Sequence, residues 1–170
     1  SFVSVVDRAP SSGKIHQIAF NKTVNSLAVA LDDGNVRIVD LENPVKTKSS
    51  MFRPSAIPTA LAWSLSGNAL FVGMNDGSLI IVDPKINQAR TEMTHLVAPI
   101  NSIVSCGLLD VFASGVDHRT IHVSRITGAS KEWLKSNQRR VCNNDVIGMQ
   151  FMCVNGKPLL IQACIDGSLR

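Results

Sequence analysis

The chain has 170 residues, 45% apolar, 18% charged and 5% aromatic, with a formal net charge of +4. No apolar run approaches the roughly 18 residues that a bilayer-spanning helix needs, and no basic stretch followed by an apolar core opens the sequence as a signal peptide would. The values agree with a soluble intracellular β domain, cytoplasmic or nuclear, long enough to bury a substantial core.

Read in chain order, residues 1–10 (SFVSVVDRAP) hold a short apolar strand closing in Val-Asp. Residues 11–53 follow with the strands HQIAFN, SLAVAL and NVRIVD, and residues 54–96 with TALAWS, ALFVGM and SLIIVD. Residues 97–141 give INSIVS, DVFASGV and TIHVSRI, and residues 142–170 begin a fourth unit ending in CIDGSLR. Each run has four to seven residues rich in Val, Ile, Leu and Phe, bounded by Asp, Asn, Gly and Ser, which reads as antiparallel meanders. A fourth strand per unit is placed in the less patterned stretches 45–53, 88–96 and 131–141.

The turns recur. Asp33-Gly34, Asp76-Gly77 and Asp166-Gly167 occupy equivalent positions, with His118-Arg119 replacing the pair in the third unit. The intervals from residue 33 to 76, 118 and 166 are 43, 42 and 48 residues, a period that belongs to repeat architectures. Asp-Gly suits a tight hairpin because Gly tolerates positive φ and Asp hydrogen-bonds its own backbone, so these Asp residues read as turn formers and not as an acidic catalytic set.

The order strand, polar turn, small-residue strand, Asp-Gly, then an apolar strand closing in Val-Asp resembles the WD-repeat β-propeller family, and the resemblance covers essentially the whole chain. It implies an all-β fold of about three complete four-stranded antiparallel blades with partial blades at both ends. The repeat is degenerate: Val6, Val39 and Val82 stand where the family carries Trp, the third unit reads Ser124-Arg125, and the Gly-His pair ahead of the first strand is missing, with His95 the nearest candidate. In the family that His, the turn Asp and the Trp share a hydrogen-bond network, so these blades are expected to rest mainly on apolar burial. A propeller closes with four to eight blades. The sequence is therefore read as an excerpt of a longer polypeptide; otherwise its first and last strands complete one blade of a small ring, or a partner chain supplies the rest.

Chemistry-bearing patterns are sparse. No phosphate-binding Gly-rich loop, His-Glu-x-x-His or Cys-x-x-Cys occurs, so neither catalytic residues, metal nor cofactor are assigned. On a strand His118 and His122 would share a face, a weak metal pair for which Asp117 alone stands nearby in sequence as a third ligand, and no metal site is assigned. Cys106, Cys142, Cys153 and Cys164 are read as reduced thiols. Asn21 opens an N-glycosylation triplet that has meaning only in a secreted chain.

Two surfaces are candidates for partners. Within residues 131–140, Lys131, Lys135, Arg139 and Arg140 against one acid contribute +3 of the chain's +4, beside Trp133, a composition suited to an acidic protein surface, phosphate groups or single-stranded nucleic acid. The turn edge is the other, with Asn35, Arg37, Asn75, Ser78, His118 and Arg119. The expected function is a non-enzymatic protein-protein interaction scaffold, a subunit of a larger intracellular assembly. The alternative is a propeller that binds RNA or another polyanion through residues 131–140.

Overall fold

The structure, a computed structural model, describes residues 13–43, 48–51, 56–86, 88–93, 99–106, 111–116, 120–125, 137–140 and 146–169. The segment 1–10 lies outside the described residues. Among the described residues, fourteen strands, all antiparallel, form four sheets. The first sheet runs β1 (Ile15–Asn21), β2 (Ser26–Leu31), β3 (Asn35–Asp40) and β4 (Lys48–Met51). The second holds β5 (Pro58–Trp63), β6 (Leu70–Met74), β7 (Leu79–Asp83) and β8 (Gln88–Met93). The third holds β9 (Ile100–Cys106), β10 (Val111–Val116), β11 (Thr120–Arg125) and β12 (Asn137–Arg140). The last is a hairpin of β13 (Val146–Val154) and β14 (Lys157–Cys164). Each sheet is a meander in sequence order, and β4, β8 and β12 fall within the stretches assigned to outer strands.

The hairpin of the last sheet turns on Asn155-Gly156, both at positive φ (50° and 74°), the two-residue type I′ geometry that Asn-Gly favours. Among the described residues no helix is long and apolar enough to cross a membrane.

The sheets stack in chain order through their first strands, β1 against β5, β5 against β9 and β9 against β13. Period-two alternation sends successive side chains to opposite faces, and in β5, β6 and β7 of the second sheet both faces are buried. Leu61, Trp63, Val72, Met74, Ile80 and Val82 pack on Ala28, Ala30, Val36 and Ile38 of the first sheet. The alternate residues Ala60, Ala62, Phe71, Leu79 and Ile81 pack on Ile100 and Ile103 of the third. This double burial is why the second unit reads as near-continuous apolar runs. Val146, Met149 and Cys164 of the last sheet meet Val104 of the third.

Hydrogen bonds tie the stacked first strands. The Leu61 N–H donates to Gln17 Oε1 at 2.6 Å, and the Trp63 indole N–H to the Ala19 carbonyl at 2.8 Å. The Thr59 hydroxyl reaches the Ile100 carbonyl at 2.7 Å, and the Ser105 hydroxyl donates to the Trp63 carbonyl. Each bond satisfies a group at a sheet-to-sheet junction that burial would otherwise leave unpaired.

The expectation of four reduced thiols is corrected: Cys164 is disulfide-bonded, whereas Cys106 and Cys153 are free. Sulfurs bond only where the fold brings two Cα atoms within several ångströms, a proximity that sequence spacing did not reveal.

At the edge opposite the Asp-Gly turns, the β1–β2 turn locks onto the β5–β6 turn. Buried Asn21 donates from Nδ2 to the Gly67 carbonyl at 3.1 Å and accepts from the Thr23 N–H at 3.0 Å, while the Thr23 hydroxyl donates to the Leu65 carbonyl at 3.3 Å. Gly67 has φ of +71°, and a Cβ there would stand 2.7 Å from Asn21 Oδ1. Gly67→Ala should therefore lower stability by about 2–3 kcal/mol, from left-handed strain plus the disturbed Asn21 bond. The shift in urea midpoint measures it; a change within about 0.5 kcal/mol would show the clamp contributes nothing.

Candidate functional site

The Asp-Gly turns share one construction. After β2 the Gly34 N–H returns to the Leu31 carbonyl at 3.3 Å, after β6 Gly77 to Met74 at 3.2 Å, and after β14 Gly167 to Cys164 at 3.0 Å. The glycines take φ of 88°, 83° and 80°, which a side chain would strain. Each Asp then closes an Asx turn: Asp33 Oδ1 accepts from the Asn35 N–H at 3.0 Å, Asp76 from Ser78 at 2.9 Å, and Asp166 from Ser168 at 3.0 Å. The hydroxyls of Ser78 and Ser168 donate to the same carboxylates.

The residue before each Asp ties the turn to the start of its first strand. Asp32 Oδ1 accepts from the Lys14 N–H at 2.7 Å, and the Asp32 N–H donates to the Lys14 carbonyl at 2.9 Å. In the next unit Asn75 and Ile57 make the same reciprocal pair at 2.8 and 2.9 Å. These bonds bring the segments entering β1 and β5 to the same edge as the turns. The result is two neighbouring strapped loops on a packed β scaffold, the kind of position from which loops commonly bind.

Of the turn-edge residues named from sequence, Asn75 is exposed and Asn35 and Arg37 are partly so. Ser78 is corrected: it is 3% exposed, its hydroxyl turned onto Asp76, and offers nothing to a partner. His118, Arg119, Lys131, Trp133 and Lys135 lie outside the described residues. Arg139 and Arg140 lie on β12, in register with Ile121 and Thr120 of β11. That pairing brings the basic end of the segment beside Thr120, the residue that follows Arg119. His122 stands opposite Gln138 and Ser114. No group of three or more His, Cys, Asp or Glu suited to a metal ion occurs among the described residues.

Two residues escaped the sequence reading. Ile165 occupies the position of Asp32 and Asn75 but is exposed, and cannot make their side-chain strap. Ile147, also exposed, lies at the register shift where β13 enters its pairing with β14, next to Val146, whose partner is Cys164. Two exposed isoleucines thus flank one end of the last sheet. The signal available in the sequence was Ile165, an apolar residue inside a turn that is polar in the other units.

No family model matches the chain. It is 26% identical over 165 residues to WD repeat-containing protein dyf-2 of Caenorhabditis elegans, across 91% of this chain and 11% of that protein. It is 24% identical over 158 residues to U3 small nucleolar RNA-associated protein 4 of Schizosaccharomyces pombe, across 85% of this chain and 21% of that one. A chain in the crystal structure of a mitotic checkpoint complex superposes with a TM-score of 0.76 at 18% identity, over 99% of this chain and 53% of that one. The repeats resemble degenerate WD repeats.

The computationally designed Ika4 protein superposes on this chain with a TM-score of 0.77 at 18% identity, over 100% of this chain and 97% of that one. The sheets are accordingly propeller blades, which among the described residues number three of four strands and one of two. The chain spans about a tenth and a fifth of the length of the two natural relatives. Where the family's Trp is replaced, Val39 and Val82 are buried within β3 and β7. The Asp that follows each caps the next turn, Asp40 accepting from the N–H groups of Glu42 and Asn43 and Asp83 from that of Lys85, all within 3.0 Å. Local Asx turns and apolar burial thus support the blades.

Proposed function

We propose that this WD-repeat chain is a non-enzymatic interaction scaffold within a larger intracellular assembly, binding protein partners through its turn edge. The observation that carries the reading is the recurrent turn, closed locally by Asp33, Asp76 and Asp166, of which the first two are also strapped to the segments entering β1 and β5. Preformed loops bind without a large ordering cost, and Ile147 and Ile165 add exposed apolar area where the other turns are polar. The similarity to a U3 small nucleolar RNA-associated protein and to a chain of a mitotic checkpoint complex agrees with membership of a multi-subunit assembly.

A second reading, polyanion binding through residues 131–140, is favoured by the β12 register, which gathers Arg139 and Arg140 near the position following Arg119. One experiment separates the two. The protein is affinity-purified from its own cells with and without nuclease, as wild type, as Ile147→Glu/Ile165→Glu, and with Lys131, Lys135, Arg139 and Arg140 all changed to Glu. The scaffold reading expects the turn-edge variant to lose partners at least several-fold while nuclease changes nothing. Loss with the basic variant, or with nuclease, would replace it by the polyanion reading. Partners unchanged in every arm would overturn both.

A further inference from the structure

Among the described residues two that are not glycine hold a positive φ; both are asparagines, and the fold treats them differently. Asn25, at 44°, donates from Nδ2 to Glu42 Oε1 at 3.0 Å and precedes the buried Ser26, whose hydroxyl donates to the Val24 carbonyl at 3.1 Å. Asn155, at 50°, is exposed, and its carboxamide has no hydrogen-bond partner among the described residues. Gly156 follows it, in the sole Asn-Gly pair of the sequence, and a Cβ built there meets nothing within 4 Å. The register lifts this pair clear of the blade. β13 and β14 stay paired from Gly148 with Ala163 to Val154 with Lys157, two pairs past the level at which β1 and β2 part at Asn21 and Ser26 when their equivalent register shifts are aligned. At the rise of a strand that is roughly 7 Å of extra hairpin. It stands on the edge opposite the Asp-Gly turns, so its exposure does not depend on what lies across either face of the sheet.

We propose that Asn155-Gly156 is a site of spontaneous backbone-assisted deamidation, which converts Asn155 into aspartyl and isoaspartyl residues with water as the only co-reactant. The Gly156 backbone nitrogen attacks Asn155 Cγ and forms the new C–N bond of a five-membered succinimide. The Cγ–Nδ2 bond breaks, and Nδ2 leaves as ammonia with the amide proton. Water then opens the ring at either carbonyl. Cleavage of the new bond gives aspartate; cleavage of the original bond from the Asn155 carbonyl carbon to the Gly156 nitrogen gives isoaspartate, whose main chain runs through Cγ. One water is consumed, one ammonia is released and one negative charge is gained, with no change of oxidation state. Glycine suits the attacking position because it has no side chain to hinder the approach, and an exposed tip of small residues is the part of a hairpin most free to turn. Asn25 lacks these features, since the bond to Glu42 holds its carboxamide and the buried Ser26 fixes the nitrogen that follows. The isoaspartyl product inserts an extra backbone carbon into a turn whose type I′ geometry requires two residues at positive φ, and it places a carboxylate beside exposed Lys157. The hairpin tip therefore changes in both shape and charge.

The test incubates the full chain, folded, in mildly alkaline buffer made with heavy-oxygen water, then digests it in ordinary water and reads each asparagine peptide by tandem mass spectrometry. Heavy oxygen marks only the conversion that took place before digestion. The expected result is labelled product at residue 155 accumulating at least tenfold faster than at Asn25 or Asn75, with isoaspartyl exceeding aspartyl. Gly156→Ala should slow it at least tenfold. Because alanine is strained at a φ of 74°, Asn155→Gln, whose longer side chain disfavours ring closure, is the second variant and should slow it as much; circular dichroism checks that both are folded. Conversion at residue 155 no faster than at Asn25 would overturn the proposal. So would undiminished conversion in either folded variant, or aspartyl product without isoaspartyl, since each shows hydrolysis that bypasses the succinimide.

Discussion

Phe71→Ala should lower the unfolding free energy by about 3–5 kcal/mol, a large share of the ~5–15 kcal/mol that typically holds a domain folded. Phe71 is fully buried at the centre of the layer between the second and third sheets, among Ala60, Ala62, Leu79, Ile81, Ile100 and Ile103. Its small neighbours are why the loss is large. Alanines cannot extend to fill the space a ring vacates, and the strands behind them are fixed by ladder hydrogen bonds, so the cavity persists. For a chain of this length the melting temperature should fall by roughly 6–20 °C. The comparison is Leu65→Ala at an exposed turn, expected within about 0.5 kcal/mol of wild type. A Phe71→Ala change as small as that would mean the two sheets do not pack as described.

Gly73→Ala tests the same layer by overfilling it. Gly73 lies on β6, and its missing side chain allows close approach to β9: an added Cβ would sit 2.6 Å from Ile100 Cγ2 and 2.8 Å from Ile100 Cβ. The near atoms are at the branched root of a fully buried side chain, so relief requires the two sheets to separate. The expected cost is about 3 kcal/mol, at the upper end for overpacking. Ile100→Ala alone should cost about 2–5 kcal/mol by leaving a cavity. Combined, the two should cost less than their sum by ~1–3 kcal/mol, because the alanine makes room for the new methyl. Strict additivity would show that Gly73 and Ile100 do not meet.

Both positions illustrate the limits of reading the chain alone. The run ALFVGM is legible as a strand from its apolar residues and flanking turns, and β6 lies within it. That Phe71 would pack against Ile100 while Val72 packed against Ala28 and Ala30 depends on which sheet lies on each side. Sequence period assigns faces but not neighbours. The boundary of β5 likewise shifted by one residue at each end, to Pro58–Trp63, and the first strand begins at Ile15 in place of His16.

The candidate surfaces divide in the same way. Asp33, Asp76 and Asp166 were recognisable as turn residues because an Asx turn is local chemistry, closed two residues further on. Ser78 was misassigned to the surface because its burial follows from the packing around the turn. Asn21, which formally opens a glycosylation triplet, is buried, and Gly67, 46 residues away, supplies its hydrogen-bond partner. The strap from Asn75 to Ile57 and the disulfide at Cys164 are similarly non-local.

The sequence by itself determined the repeat, the all-β class, the order of strands and the Asp-Gly turns, because each is written in contacts between residues a few positions apart. Only the tertiary structure decided which faces became core, which turns were strapped, and which apolar residues remained exposed. Those outcomes depend on burial between sheets some 43 residues apart, and the free energy of burial depends on what lies across the interface, which no local pattern specifies.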